Sequence, residues 1–194
     1  PKSTSAIIWY WGIRRSCPET GLHNLFFSSD YPAEFRALFR EKTMPADPSI
    51  YLNISAKENP EDAPSGCENW FVMVNAPANE AQDWDELISR TRAIVLERLS
   101  RELGFEVEKH IDAETFLDPR SLESRTGAIG GALYGSNSNH PFAAFLRHAN
   151  FSSEYGNLFF CGGTVHPGGG IPLALQSAKL ASGYVQEKMK FTHQ

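Results

Sequence analysis

A thirteen-residue stretch near the end of the chain restricts the backbone more than any other part of the sequence. Residues 160–172, FCGGTVHPGGGIP, contain five glycines and two prolines, with an apolar run before them and a helix-like segment after them. Glycine lets a backbone adopt positive φ and approach another group closely, because it has no Cβ atom. Pro172 suits the first turn of a helix, where its missing N–H costs no hydrogen bond. The stretch therefore predicts a loop between a short strand, NLFF (157–160), and a helix.

Such a loop is a favourable place for an anionic group. The first turn of a helix presents N–H groups without intrahelical partners, together with the positive end of the helix dipole. It can stabilise a phosphate, or the negative charge that a reduced flavin carries along its N1–C2=O edge. The simpler alternative is a glycine-rich turn that binds nothing. Glycines on both sides of a His-Pro step, followed by a helix start, favour the ligand site.

The composition describes an ordinary globular chain and removes several functional classes. Of the 194 residues 41% are hydrophobic and 21% are charged, which suffices for one substantial domain. The net charge of -5 argues against a nucleic-acid partner, since such proteins need a basic surface. No apolar run approaches the roughly 20 residues of a membrane-spanning helix. Three cysteines without metal-ligand spacing imply no disulfide framework and no metal site, and they favour a reducing, cytoplasmic compartment.

The residue patterns predict an α+β fold. β-Branched and aromatic runs predict four strands up to residue 76, and the alternation of FEVEKHI predicts a fifth. These strands cover residues 3–13, 23–28, 49–55, 69–76 and 105–111. One helix is predicted over 31–42, and another from the capping residue Asp83 to the stop at Gly104. We expect a mixed, mainly antiparallel sheet with packed helices, followed by the strand–glycine loop–helix unit. The second helix should pack through Trp84, Leu87, Ile88, Val95 and Leu99.

The stretch NLFFCGGTVHPGGGIPLALQSAKLASGYV (157–185) resembles the carboxy-terminal motif of a known enzyme family. That family is the phytoene desaturase family of FAD-dependent oxidoreductases, which includes carotenoid desaturases, carotene isomerases and retinol saturases. Three earlier segments are also similar to the family: STSAIIWYWGI, the region from DPSIYLNIS to VNAP, and GAIGGALYGSNSNHPFAAFLRH. The resemblance covers most of the chain, and the last motif is its most specific part.

The resemblance implies a flavin site in the glycine loop. The residues that it places along the flavin are Gly162, Gly163, Thr164, His166, Gly168, Gly169, Gly170 and Ile171, with Pro172 opening the helix. His166 is either a donor or proton carrier at the flavin edge or a side chain bonded to its own loop. Cys161 is expected to be a small buried strand residue. Because the flavin takes the hydride, the resemblance assigns no catalytic side chain.

The family's amino-terminal Rossmann unit has no counterpart in these residues. In the family, the G-x-G-x-x-G turn of that unit holds the ADP half of FAD. We therefore expect the chain to be the carboxy-terminal part of a longer enzyme, inactive and weak in FAD binding by itself. On this interpretation residues 1–115 form the substrate-binding region. Residues 116–194 form a return segment that carries the flavin-contacting loop and helix.

The resemblance implies an apolar polyene substrate, a carotenoid or retinoid that is desaturated, saturated or isomerised by hydride exchange with the flavin. Six aromatic residues either line a channel for it or fill an ordinary core: Trp9, Trp11, Phe26, Phe27, Tyr51 and Trp70. A basic and apolar helix face suits peripheral contact with a membrane, or is a plain solvated face. It comprises Phe35, Arg36, Leu38, Phe39, Arg40 and Lys42.

Two functions of other kinds remain open at this stage. The first is a non-catalytic module that binds an apolar ligand without redox chemistry. The second is an amine-oxidase-like flavoenzyme, which would place polar or charged groups near the flavin to receive a polar substrate.

Overall fold

The computed structural model of the chain describes residues 2–135 and 147–192, with side chains through Lys190. The chain divides into two compact units: Thr4–Gly131, and a second unit of Pro1–Ser3 with Ala132–Gln194. The two units divide after Gly131, whereas the sequence predicts a boundary after residue 115. That boundary separates a substrate-binding region from a flavin-contacting one, and it stays a prediction. Residues 136–146 of the family-like segment 127–148 lie outside the described residues.

The larger unit is built on a five-stranded antiparallel sheet, as the α+β prediction expects. Its strands are β1 (Ser5–Ile13), β2 (His23–Phe26), β3 (Ile50–Asn53), β4 (Glu68–Ala76) and β5 (Ile111–Leu117), in the spatial order β2-β3-β4-β1-β5. The longest pairing joins β1 to β4, from Ser5 opposite Ala76 to Ile13 opposite Glu68. The four strands predicted up to residue 76 are all present, and they form one sheet.

Helices lie between the strands and at the end of the chain. They are α1 (Tyr31–Arg36), α2 (Trp84–Leu103), α3 (Pro119–Thr126) and α4 (Ile171–Thr192). Helix α1 continues as a π-helical turn, Ala37–Glu41, so the predicted helix 31–42 is present in two geometries. Single 3₁₀ turns occupy Ser55–Lys57, Pro60–Asp62, Val107–His110 and Ile129–Gly131.

Helix α2 begins and ends where its capping residues predict. The side chain of Asp83 accepts a hydrogen bond from the backbone N–H of Glu86, which satisfies one of the free donors of the first turn. Gly104, with φ 74°, ends the helix in a left-handed conformation that costs glycine little. The predicted apolar stripe is confirmed: Trp84, Ile88, Val95 and Leu99 are buried, and Leu87 packs partly against the core.

The core lies on one face of the sheet. Alternate residues of β1 and β4 point to this face, and Trp9, Trp11 and Trp70 are almost completely buried there. They join one hydrophobic cluster with Trp84 and Leu99 of α2. Of the two roles considered for these three tryptophans, core packing is therefore the one that they have. Phe26 packs partly against the same cluster, and Phe27 is 62% exposed.

The strand predicted at residues 105–111 is wrong. Val107–His110 form a 3₁₀ turn, and β5 begins only at Ile111. The N–H of Val107 donates to Ser100 Oγ at 3.0 Å, and that of Lys109 to the carbonyl of Glu106. Val107 itself is fully buried in the core. The pattern of buried and exposed residues arises because the turn packs against the end of α2 with Val107 inward, and not from pairing with another strand.

Glu68, at the start of β4, is a buried carboxylate surrounded by donors. It accepts hydrogen bonds from Cys17 N at 2.8 Å and Trp70 Nε1 at 2.8 Å, and it pairs with Lys57 Nζ at 2.7 Å. Burial opposes ionisation of this group, but the three donors outweigh burial and hold the pKa of Glu68 below its usual value. Burial raises the pKa of the neighbouring Cys17 thiol to about 11, so this cysteine is an unreactive thiol at neutral pH.

We predict that Glu68→Gln lowers the free energy of unfolding by about 2 kcal/mol at neutral pH, because charge-assisted hydrogen bonds to Lys57 and to two N–H groups are weakened. The folded-state pKa of Glu68 lies below the unfolded-state value of about 4.3. Its stabilisation is therefore complete above that pH and is lost as the pH falls through the lower folded-state pKa. Denaturant titrations from pH 7 to pH 3 should show the difference between the two proteins narrowing below about pH 4. A constant difference would contradict the assignment.

Candidate functional site

The residues predicted along the flavin all lie in one loop of the smaller unit and in the first turn of α4. Thr164, His166, Gly170, Ile171 and Pro172 are exposed; Gly162, Gly163 and Gly169 are half-buried, and Gly168 is buried. The N–H of Ala174 donates to the carbonyl of Gly170, so helical hydrogen bonding starts directly at the end of the loop. The predicted helix is confirmed and starts one residue before Pro172.

Asn150 ties this loop to α4. Its side chain is almost completely buried, and its amide nitrogen lies within hydrogen-bond distance of Phe160 O, His166 O and Ser177 Oγ. Ser177, also buried on α4, accepts a further hydrogen bond from Gly162 N at 3.1 Å. Two buried side chains therefore fix both ends of the loop's first half against the helix.

The short strand predicted at residues 157–160 is not formed. Only Phe159 makes an isolated bridge, with Phe151. The backbone N–H of Phe160 donates to Asn150 O, and its carbonyl accepts from the Asn150 side chain. A side chain therefore takes the place of the second strand. Cys161, expected to be buried in that strand, is exposed.

Four of the five loop glycines fall into two groups with different physical roles. A Cβ atom on Gly169 would lie 2.5 Å from Cδ1 of Tyr134, and one on Gly168 would lie 3.0 Å from Nε of Arg147. Side chains of the same unit pack against both positions, and the φ of 140° restricts Gly168 in addition. Gly162 (φ 129°) and Gly170 (φ 96°) have no atom within 4 Å of such a Cβ atom among the described residues. They leave bare backbone in a conformation that other residues avoid, which suits a loop that a ligand approaches.

The imidazole of His166 points to no partner within its own loop. Its backbone N–H donates to His148 O, and its carbonyl accepts from Asn150. Among residues 2–135 and 147–192 the ring makes no hydrogen bond, and the residue is exposed. Of the two roles considered for His166, binding to its own loop therefore has no support in the described structure.

Sequence reasoning missed the side chains that support the loop. Arg147 donates to the carbonyls of Tyr134 and Gly163 and covers Gly168. Tyr134 packs on Gly169, and Asn150 bonds to Ser177. The small residue Ser177 within an otherwise apolar helix face was the one available signal, since a buried hydroxyl needs a partner.

We predict that Gly169→Ala lowers the thermal stability of the protein even without any cofactor, because the new methyl group collides with the Tyr134 ring. The expected cost is about 1–3 kcal/mol, typical of overpacking. The double variant Gly169→Ala/Tyr134→Ala should recover most of the loss, since it removes the colliding ring. Melting temperatures of the two single variants and the double variant test this. If the double variant is as unstable as the sum of the single variants, Tyr134 is not what requires glycine at this position.

A second surface lies on the sheet of the larger unit, on the face turned away from α2. Because strand residues alternate between faces, the register places four rows of side chains there. The row of Asn75 and Ala6 lies at one end, where Ala6 is buried, and the other three rows form the surface. We call this surface the open face. Its rows are Leu25–Tyr51–Met73–Ile8–Leu117, His23–Asn53–Phe71–Tyr10–Thr115 and Asn69–Gly12–Ala113. They contain no Asp, Glu, Lys or Arg, whereas the solvent face of an antiparallel sheet ordinarily carries charged residues.

Aromatic rings cover the middle of the open face. Tyr10 meets Phe71 edge to face with ring centroids 5.5 Å apart, and Tyr51 meets Phe71 at 6.0 Å. Beside them an open depression of about 590 Å³ lies over Gly12 and Ala113. Glu114 also borders it, but its carboxylate turns to Arg92 at 2.7 Å. The open face therefore offers an uncharged aromatic surface with room for a ligand.

The apolar and basic face predicted on residues 31–42 is present in part. Phe27, Tyr31, Phe35 and Phe39 form a ladder of ring contacts with centroid separations of 6.5, 4.8 and 5.8 Å. Phe27 and Tyr31 are 62% and 50% exposed. Leu38, predicted on the same face, instead points into the interior with 1% exposure.

The basic residues of this face differ in their surroundings. Lys42 pairs with Glu80 at 3.2 Å. Arg36 and Arg40 are exposed and have no ion pair in the described part of the chain. No helix within the described residues has the length and apolar character needed to cross a membrane.

The chain is similar to known carotenoid enzymes over most of its length. A 1-hydroxycarotenoid 3,4-desaturase from Flavobacterium sp. (strain P99-3) is 50% identical over 184 residues, which is 95% of this chain and 38% of the relative. The phytoene desaturase of Phycomyces blakesleeanus is 31% identical over 94% of this chain and 33% of its own length. The 4,4'-diaponeurosporene oxygenase of Staphylococcus haemolyticus is 32% identical over 91% and 36%. No family model matches the chain.

These alignments extend over nearly the whole chain, so they include both the sheet of the larger unit and the glycine loop. The chain spans about a third of the length of these relatives, from 33% to 38%.

Proposed function

Since the chain belongs to the phytoene desaturase family of carotenoid oxidoreductases, we propose that it is the carboxy-terminal portion of an FAD-dependent enzyme that exchanges hydride with a carotenoid. The observation that carries this proposal is the open face. A polyene offers almost no hydrogen-bonding groups and gains about 25 cal/mol for each Å² of apolar surface removed from water. The three uncharged rows, with Tyr10, Tyr51 and Phe71 at their centre, suit such a ligand.

The glycine loop is the part of the proposed enzyme that would hold the flavin. When bound, FAD would accept a hydride in a desaturation or return one in a saturation. The residues assigned to its contact are Gly162, Gly163, Thr164, His166, Gly168, Gly169, Gly170, Ile171 and Pro172. Bare backbone at Gly162 and Gly170 fits a close approach, and the amino terminus of α4 presents its free N–H groups to an anionic edge. The His166 ring, which makes no hydrogen bond among the described residues, would donate one at that edge.

The open face favours a polyene over the other two functions. An amine substrate is cationic and would be expected to meet a carboxylate, but the three rows contain none. A binding module without redox chemistry would need no loop of bare backbone before a helix. We propose further that the substrate carries a hydroxyl group, as does the substrate in the name of the relative that is 50% identical.

The decisive experiment uses the full-length protein that contains this chain, with its flavin bound and oxygen removed. We predict that a carotenoid supplied in liposomes bleaches the oxidised flavin absorbance, and that chromatography finds the carotenoid with one more double bond. Amines should leave the flavin oxidised. Bleaching by an amine, with no response to any carotenoid, would overturn the proposal. We expect the 194-residue chain by itself to be inactive and to bind FAD weakly.

Gly12 gives the matched variants for this experiment. An alanine there makes only ordinary contact, 3.5 Å, with Cβ of Ala113, whereas Gly12→Leu would fill the depression on the open face. We expect Gly12→Leu to lower kcat/KM for the carotenoid at least tenfold relative to Gly12→Ala, with the flavin content of both unchanged.

We also propose that the ring ladder of Phe27, Tyr31, Phe35 and Phe39 touches the lipid bilayer in which a carotenoid resides. Exposed aromatic rings partition into the membrane interface, and nearby arginines attract anionic lipid headgroups. Arg36 and Arg40 are exposed beside the ladder and are available for that role.

We predict that Tyr31→Ser combined with Arg36→Glu and Arg40→Glu reduces binding to liposomes that contain anionic phospholipid at least fivefold in a flotation assay, because each Lys or Arg near such a surface contributes about 1 kcal/mol. Arg125→Glu is the matched control, since Arg125 is an exposed arginine on α3. Equal losses in the two proteins would indicate a general charge effect and would remove α1 from the contact.

A further inference from the structure

The open face changes character at the edge where β2 and β3 pair. His23, Tyr51 and Asn53 lie there as a hydrogen-bonded polar group of an uncharged surface that is mainly apolar and aromatic. The distance from His23 Nδ1 to Tyr51 Oη is 2.8 Å, and from His23 Nδ1 to Asn53 Nδ2 it is 3.2 Å. The His23 and Tyr51 rings stack with centroids 6.0 Å apart, and Tyr51 also meets Phe71. The polar group is therefore continuous with the aromatic surface.

The contacts of His23 Nδ1 are compatible with two tautomers. An unprotonated Nδ1 has one in-plane lone pair and accepts one full hydrogen bond, whereas a protonated Nδ1 donates to Tyr51 Oη. Asn53 Nδ2 also donates to the carbonyl of Leu22 at 3.1 Å, which ties the Asn53 side chain to the start of β2.

Two hydrogen-bonding functions remain unused. Among the described residues, His23 Nε2 has no hydrogen-bond partner. If Tyr51 donates to Nδ1, Nε2–H is the free donor and Tyr51 Oη the free acceptor; if Nδ1–H donates to Tyr51, Nε2 is the free acceptor and the Tyr51 O–H the free donor. The group thus presents one donor and one acceptor on neighbouring side chains. An alcohol hydroxyl needs the same two functions in reverse, since it both accepts and donates.

We propose that His23 and Tyr51 bind the hydroxyl group of the carotenoid substrate and that Asn53 holds them in position. This inference rests on the proposed function and adds the residues that select a hydroxylated substrate. The hydroxyl donates to one of His23 Nε2 and Tyr51 Oη and accepts from the other, while the hydrocarbon lies along the aromatic rows. Because the rest of the rows offers no charge, this anchor fixes how far the polyene slides along the open face.

A purely structural role for the polar group is the alternative. The backbone pairing of β2 with β3 already joins the two strands, and Asn24 Nδ2 adds bonds to the carbonyls of Gly21 and Leu52. A structural role predicts that removing the Tyr51 hydroxyl changes stability or the turnover of all carotenoids alike. Substrate recognition predicts a change in selectivity, and this difference is measurable.

The test uses the full-length flavoprotein and two carotenoids of the same chain length, one with a terminal hydroxyl and one without. We expect Tyr51→Phe to lower the ratio of kcat/KM for the hydroxylated carotenoid to kcat/KM for the other about fivefold to tenfold, as expected for one neutral hydrogen bond. His23→Leu should have the same selective effect, and His23→Gln, which keeps an N–H donor, should recover part of it. The matched control is Tyr10→Phe, which removes a hydroxyl from the same face but should leave the selectivity ratio unchanged.

If the selectivity ratio of Tyr51→Phe stays within about twofold of the wild-type ratio, the inference is overturned, because one neutral hydrogen bond would change the ratio by more. Equal losses on both carotenoids would also overturn it and would assign the polar group a structural role. Failure of the wild-type enzyme on both carotenoids is a separate outcome that would overturn the proposed function itself.

Discussion

The register between β1 and β4 determines which chemistry each face of the sheet carries. With Trp11 opposite Trp70 and Tyr10 opposite Phe71, every second side chain joins the core beneath α2 and every other one joins the open face. A shift by one residue would expose the tryptophans and bury the tyrosine hydroxyl. The large buried area of Trp9, Trp11 and Trp70 therefore makes this register the favoured one, and the open face follows from it.

Several charged side chains of the larger unit form ion pairs away from the open face, which carries no charged residue in its rows. Glu68 pairs with Lys57 inside the unit, and Glu114 turns its carboxylate to Arg92 on the side of α2. Arg98 of α2 joins Asp47 at 2.9 Å. An apolar ligand on the open face would thus meet no ionised group that its binding would strip of water, a cost that can exceed the gain from burial.

In the smaller unit, the buried Asn150 amide hydrogen-bonds backbone groups that a neighbouring strand would pair with in a sheet. Asn150 and Ser177 satisfy backbone groups of the loop that would otherwise be buried without partners. They fix the loop from Phe160 to His166, and Gly168 and Gly169 let Arg147 and Tyr134 close over its second half. Gly162 and Gly170 are left as bare backbone. The loop is therefore held by its own unit and is still open to a ligand.

The sequence by itself determined the elements whose signals are local. Asp83 and Gly104 mark the two ends of α2, because capping depends on neighbours within one helical turn. The tryptophan-rich strands are predicted by their residue types. Only the tertiary structure decided the rest. The segment 105–111 contains a turn because Ser100 Oγ accepts the hydrogen bond from the N–H of Val107. The NLFF run forms no strand because the side chain of Asn150 takes the backbone carbonyl of Phe160. Gly169 has no room for a Cβ atom because the Tyr134 ring packs against it. In each case the deciding partner comes from another segment of the chain, and composition and periodicity within the segment carry no information about that contact.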